Sequence, residues 1–188
     1  HLVYSGRGTA MKNQDVTAEE SRRAMDIIIR RTKDFEDRGL EKEILTVDNH
    51  CDGVYMYLKA LSEGNDQQAA QIKKYISMNG GNRSGIAFGE VDPFGYVHPD
   101  QFTQHHTFGN VRDRKFSEIW QDTSNPIMAG LKDRKPLLKG RCRQCRFLEN
   151  CNGNFRTRAE AVTGDFWESD PSCYLTDEEI GIAGGADK

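Results

Sequence analysis

No stretch of the sequence comes near the roughly 20 consecutive apolar residues that a bilayer-spanning helix needs. Nor is there the basic, apolar and small-residue succession of a secretory signal. Positive charge is not in excess: 26 Lys and Arg face 29 Asp and Glu, a net charge of −3. That balance argues against nucleic acid as a partner. The expectation is a cytoplasmic chain with no membrane and no nucleic-acid partner. Internal repeats are absent. Cysteine is scarce, five in 188 residues, and a reducing cytoplasm disfavours structural disulfides. A chain of this length can bury a core as one domain or one and a half.

The scarcity of cysteine makes its placement informative. Four of the five lie in the last quarter, as Cys142-x2-Cys145-x5-Cys151 followed, after x21, by Cys173. Four thiolates brought to one point repel each other unless a cation or a cluster sits among them. Iron–sulfur clusters and structural zinc sites both take four thiolates. Zinc sites of this kind favour two CxxC knuckles, and only one pair here is CxxC. The reading therefore ranks a [4Fe–4S] cluster above zinc, and zinc above unligated thiols. Cys151-Asn-Gly-Asn offers backbone amides to cluster sulfurs, and Arg141, Arg143 and Arg146 would offset thiolate charge. The fifth cysteine, Cys51, stands alone.

Local signals outline the rest. The chain begins at His1, inside HLVYSGRG, which reads as a strand over 2–4 entering a Gly-rich turn. It reads as the C-terminal piece of a longer protein. Thr17-Ala-Glu-Glu20 is a capping box opening a helix that runs to about Arg38, with Gly39 as its left-handed stop. Ala24, Met25, Ile28, Ile29 and Phe35 form its buried stripe, and Ile27 is assigned to the core. Ile44–Val47 reads as a second strand, so strand, helix and strand make a βαβ unit. Helices are expected over 53–61 and 67–78, then a break at Gly80-Gly81-Asn82. A hairpin flanks Asp92-Pro93-Phe94-Gly95. Short helices follow at 116–120, 126–132 and 155–162. Trp120 and Trp167 read as packing anchors, and Lys132 to Lys135 as a solvated helix end.

Three ordered blocks, GYVHP, GNVRDRKFSEIW and CRQCRFLENCNGN, resemble the C-terminal SPASM or twitch region of radical S-adenosylmethionine enzymes. The likeness spans roughly residues 85–173. HLVYSGRG, LTVDNHCDG, NGGNRSG, VHPDQF and MAGLKDRKPLLKGRC are similar to the branch that trims tetrapyrrole side chains. The resemblance implies an α/β fold: the C-terminal end of a partial (β/α)6 TIM barrel, residues 1–79, then a small α+β iron–sulfur domain, residues 80–176, and a disordered tail, 177–188. It implies an auxiliary [4Fe–4S] cluster on Cys142, Cys145, Cys151 and Cys173. S-adenosylmethionine and a second [4Fe–4S] cluster would belong to the full-length enzyme, because the Cx3CxxC motif that holds them is absent here. On that basis this chain alone should be inactive. Phe155 and Asp100 stand where the fuller SPASM pattern has cysteines, which implies one auxiliary cluster rather than two.

The implied reaction removes acetate side chains from 12,18-didecarboxysiroheme, a siroheme-derived tetrapyrrole, to leave methyl groups in iron-coproporphyrin. It needs electrons, hence an electron-donor protein. Alternatives are propionate removal in haem d1 synthesis, peptide modification, and a non-catalytic four-cysteine electron-transfer module. Barrel active sites lie at strand C-terminal ends, so Asn49, His50 and Cys51 become candidates. His50 and Cys51 are the catalytic ones, each also readable as a turn residue or a small buried hydrophobe. Arg7 could grip a carboxylate bidentately. Among His98, His105 and His106, His98 is the candidate substrate contact. Asp100 reads as solvated.

Overall fold

The computed structural model describes residues 1–182. In chain order its helices are α1 Arg7–Ala10, α2 Ala18–Asp37, α3 Cys51–Ser62 and α4 Asp66–Asn79. A two-stranded sheet follows, β1 Glu90–Val91 and β2 Val97–His98. Then come α5 Phe116–Gln121, α6 Pro126–Lys132, α7 Gly140–Gln144, α8 Leu148–Cys151, α9 Arg156–Thr163 and α10 Asp177–Ile180. The fold is α-rich with one small sheet.

Local chemistry explains the helix ends. The Thr17 hydroxyl accepts from the Glu20 amide while the Glu20 carboxylate accepts from the Thr17 amide, the reciprocal capping box. Gly39 and Gly80 take positive φ, 67° and 69°, and stop α2 and α4. In the hairpin, Glu90 pairs with His98 and Val91 with Val97. Asp92 accepts from the Phe94 and Tyr96 amides and closes its turn.

One apolar core joins α2, α3 and the cysteine region. It contains Met25, Cys51, Val54, Tyr55, Phe147 and Tyr174, with Ile28, Ile29, Cys145 and Cys173 packed against it. The core therefore draws on both sides of residue 80.

Several expectations are corrected. Neither 2–4 nor 44–47 is a strand: among the described residues the sheet contains β1 and β2 alone. A strand needs a neighbour to satisfy its backbone, and here the Leu2 and Asp48 carbonyls instead accept from the Arg158 guanidinium. Leu45 and Val47 are 75% and 66% exposed, so the βαβ unit does not form. Ile27 and Ala24 face solvent, because α2 meets the core along Ser21, Met25, Ile28 and Ile29. The expected tail is ordered over its first part: Thr176 caps α10 with Glu179, and Ile180 is buried in the core. Arg22 of α2 grips the Glu179 carboxylate at 2.6 and 2.8 Å. The remainder of that tail, 183–188, lies outside the described residues.

Beneath the cysteine region Arg158 and Asp170 form an ion pair at 2.8 Å with both side chains fully buried. Burial alone would lower the Arg158 pKa; Asp170 outweighs it and holds the group above its ordinary value. Removing one partner of such a pair strands a charge and costs about 3–5 kcal/mol. Asp170→Ala is thus expected to lose that much in urea denaturation. A loss below about 1 kcal/mol would show that the pair does not hold this region together.

Candidate metal centre

The four clustered cysteines arrive from three local structures. Gly140, at φ 51°, opens α7 where a Cβ would strike Glu168 and Ser169. The Cys142 amide then donates to the Ser169 hydroxyl at 3.1 Å. Cys145 ends α7, and its sulfur accepts from the Phe147 amide at 3.3 Å. Cys151 ends α8, and Cys173 follows a turn in which its amide donates to the Asp170 carbonyl. All four, together with Cys51, line one partly open pocket.

The Cys151 side of the cavity is closed by close backbone contact. Asn82 donates its amide to the Cys151 carbonyl at 3.1 Å. A Cβ on Gly81 would lie 2.2 Å from that same carbonyl. The Asn154 amide side chain then crosses to the candidate loop: it donates to Asn49 Oδ1 at 2.7 Å and accepts from the His50 amide at 3.0 Å.

Burial governs the thiols. It pushes Cys145 above the usual thiol range, and Cys151 well above, with the fields of neighbouring cysteines adding to the rise. The neighbouring Cys51 thiol pulls Cys173 down, while burial pushes Cys51 well up. Arg141 lines the cavity; burial opposes its charge, but Asp177 and the cysteines hold its pKa above the ordinary value. Arg143 and Arg146 are exposed, Arg146 lying over the Phe147 ring.

Residues 88–146 match the SPASM family, described as an iron–sulfur cluster-binding domain. The chain is 57% identical over 184 residues, 96% of its length, to the Fe-coproporphyrin III synthase of Methanosarcina barkeri (strain Fusaro / DSM 804). It is 41% identical over its whole length to the pre-heme d1 synthase of Dinoroseobacter shibae (strain DSM 16493 / NCIMB 14021 / DFL 12). The alignment covers 46% of each of those proteins, so the chain spans about half the length of the curated relatives it matches. The AdoMet-dependent heme synthase of Methanosarcina barkeri is 35% identical over 99 residues, 53% of this chain and 27% of that protein.

The donor set fits the cluster that a SPASM domain binds. A single tetrahedral zinc with Zn–S bonds near 2.3 Å would draw its four sulfurs to about 3.8 Å apart. Among the described residues, the grouping of three or more donor atoms within 4.8 Å of one another is His105, His106 and Glu160, and none is built from cysteines. The four cysteines line one pocket, and a [4Fe–4S] cluster takes four Cys thiolates.

The other candidates are placed less uniformly. Cys51 joins the cavity wall, 1% exposed. Asn49 is buried and spends its side chain on Asn154, the Cys51 amide and the Ser172 carbonyl. His50 stacks on Phe155 and lines a separate half-open pocket of about 320 Å³ with Asp48, Asn82, Gln101 and Phe102. Burial, followed by the fields of Arg158 and Arg134, lowers its pKa, so its ring is neutral near pH 7. Arg7 is exposed on α1. His98 is buried, its Nδ1 3.0 Å from the His106 carbonyl and its Nε2 3.5 Å from Asp92. His105 and His106 both meet Glu160, at 2.6 and 3.0 Å. Asp100 is not solvated: it is buried and accepts from the Phe102 and Thr103 amides and the Thr103 hydroxyl.

The sequence reading missed three buried arginines, Arg134, Arg156 and Arg158, and the buried carboxyls Asp52 and Asp170. Arg134 overturns the expected solvated helix end at 132–135. One signal was available for two of them: the Arg-Thr-Arg run beside the last cysteines of the cluster motif.

The Gly81 contact is testable against its neighbour. Gly80 and Gly81 have similar φ, 69° and 71°, but a Cβ on Gly80 meets open space. Gly80→Ala should cost the ordinary left-handed penalty of about 1–2 kcal/mol. Gly81→Ala should cost more and reduce iron uptake by displacing Cys151. Equal melting temperatures and iron contents for the two variants would remove Gly81 from the centre.

Proposed function

We propose that this chain is part of a radical S-adenosylmethionine enzyme that removes acetate side chains from 12,18-didecarboxysiroheme to give iron-coproporphyrin. Cys142, Cys145, Cys151 and Cys173 would hold its auxiliary [4Fe–4S] cluster. The observation that carries this reading is the convergence of those four cysteines, from three local structures, on one pocket inside a chain with a SPASM match. The higher identity to the Fe-coproporphyrin III synthase, 57% against 41% for the pre-heme d1 synthase, favours acetate over propionate as the side chain removed.

When bound, the cluster would supply one-electron transfer. The chain's own residues do the positioning. The Asn49–Asn154 amide pair fixes the His50 loop against the cysteine turn. A neutral His50 borders a mixed polar and aromatic pocket one residue from Cys51, which suits holding or moving a proton beside a substrate side chain. In the whole protein, residues 1–79 would complete a partial barrel and residues 80–176 would form the auxiliary-cluster domain. S-adenosylmethionine, a second cluster and an electron-donor protein would complete the system.

Anaerobic reconstitution with iron and sulfide tests the cluster. Cys145→Ala should hold about four fewer irons per chain than wild type and lose a reducible cubane signal in electron paramagnetic resonance. Stoichiometric zinc without iron would make the four cysteines a structural site and sink the reading. In the full-length enzyme, acetate should appear during turnover of 12,18-didecarboxysiroheme, and His50→Ala should reduce its rate; turnover unchanged in that variant would remove His50 from the active site.

A further inference from the structure

Two arginines behind the cysteine cavity carry charges that the protein itself does not neutralise. Arg134 is 1% exposed and Arg156 is 3% exposed. Among the described residues neither has a carboxylate within 4.0 Å. Arg134 donates to Asn82 Oδ1 at 3.0 Å and to the Asn152 and Ser84 carbonyls. Arg156 donates to the Gly153, Phe166 and Glu168 carbonyls. The Nε of each finds no acceptor. Asp100, the carboxylate whose field reaches Arg134, is committed to Phe102 and Thr103. Burial lowers the Arg134 pKa to about 10, with Arg156 adding to the fall, and leaves it charged near neutral pH.

Both guanidiniums grip the same turn. Asn152, Gly153 and Asn154 all take left-handed backbone conformations, φ 54°, 76° and 56°. Two neighbouring carbonyls of that turn, on Asn152 and Gly153, are the ones the arginines hold. Every peptide is trans, so the N–H of Gly153 points away from the Asn152 carbonyl and from Arg134. Gly153 also lines the cysteine cavity. Fixed positive charge therefore lies behind the turn, and the turn separates it from the place where four thiolates and a cluster would bring negative charge.

We propose that Arg134 and Arg156 are buried counter-charges for the cluster, acting through the Cys151–Asn154 turn to raise its reduction potential. The inference rests on the cluster assignment above. It makes these arginines positioning residues with an electrostatic role: reduction adds an electron to an already anionic group, and a nearby fixed cation favours that step.

The decisive variant is Asn82→Asp. It keeps the oxygen that accepts from Arg134 and from the Ser84 amide, and adds a negative charge beside Arg134. Midpoint potentials are read by redox titration with electron paramagnetic resonance on the anaerobically reconstituted protein. Asn82→Asp and Arg134→Gln should both shift the midpoint to more negative values at unchanged iron content, and Arg134→Lys should stay near wild type. Without iron, Asn82→Asp should melt above wild type, because its carboxylate meets a buried charge that otherwise has no partner. This melt needs no cluster and decides the case even for a variant that loads no iron. An unchanged midpoint in the iron-loaded variants, a Lys variant shifted as far as Gln, or an apo Asn82→Asp protein melting at or below wild type overturns the inference. Equal iron in wild type and Cys145→Ala would instead overturn the cluster assignment, and this inference with it.

Discussion

Arg158 and Asp170 lie wholly out of water, and four separate stretches of chain around the site are tied to one of them. Desolvating two charges is expensive, and their attraction compensates only when the remaining donors and acceptors are also satisfied. Here they are. Arg158 gives its other protons to the Leu2 and Asp48 carbonyls, and Asp170 accepts from the Phe155 and Ser172 amides as well. The pair thereby joins the first residues, the loop before α3, the start of α9 and the turn carrying Cys173. Through it, the position of Cys173 relative to Cys151 is set by hydrogen bonds rather than by packing alone. Cys51, two residues from Asn49, is drawn into the same frame.

A second constraint follows from the Cys151 turn. Left-handed conformations at Asn152 and Asn154 each cost about 1–2 kcal/mol, although asparagine tolerates them better than most residues. They persist because side chains on several sides hold the turn: Arg134 and Arg156 take its carbonyls, Asn154 bridges to Asn49, and Asn152 donates to the Asn82 carbonyl at 2.7 Å. Gly81 must lack a side chain so that the 80–82 segment can come close enough for that contact. The polar, Asn-rich composition around the last cysteines thus has a geometric purpose.

What could be read directly from the sequence was whatever is decided locally. The capping box at Thr17, the glycine stops at 39 and 80 and the turn at Asp92–Gly95 all act over a few residues, and each appears in the structure. What could not be read depends on distant chain. Leu2–Tyr4 and Ile44–Val47 have the composition of strands, but a strand exists only with a partner, and Arg158 instead holds the carbonyls of Leu2 and of Asp48, just after the second segment. Lys132, Asp133, Arg134 and Lys135 look alike in sequence, yet Arg134 alone is sealed from water, by Asn82, Ser84 and Asn152. Asp100 was read as solvated for the same reason: the local sequence does not reveal that Thr103, bonded in turn to Thr157 of α9, closes over it.

These features would couple the stability of the fold to the proposed cluster. Hydrophobic residues make up 36% of the chain, and the centre of the protein is occupied by Arg, Asp and Asn as much as by Val and Tyr. Such an interior gains little from burial and depends on every polar group finding a partner. Arg158 has its partner within the chain, whereas Arg134 and Arg156 do not. A group that binds the folded chain and not the unfolded one stabilises it in proportion to the logarithm of its concentration over its dissociation constant. An anionic cluster between the cysteines would supply both that binding energy and the missing counter-charge. Cofactor and fold would then be linked through the Cys151–Asn154 turn, whose carbonyls the two arginines hold.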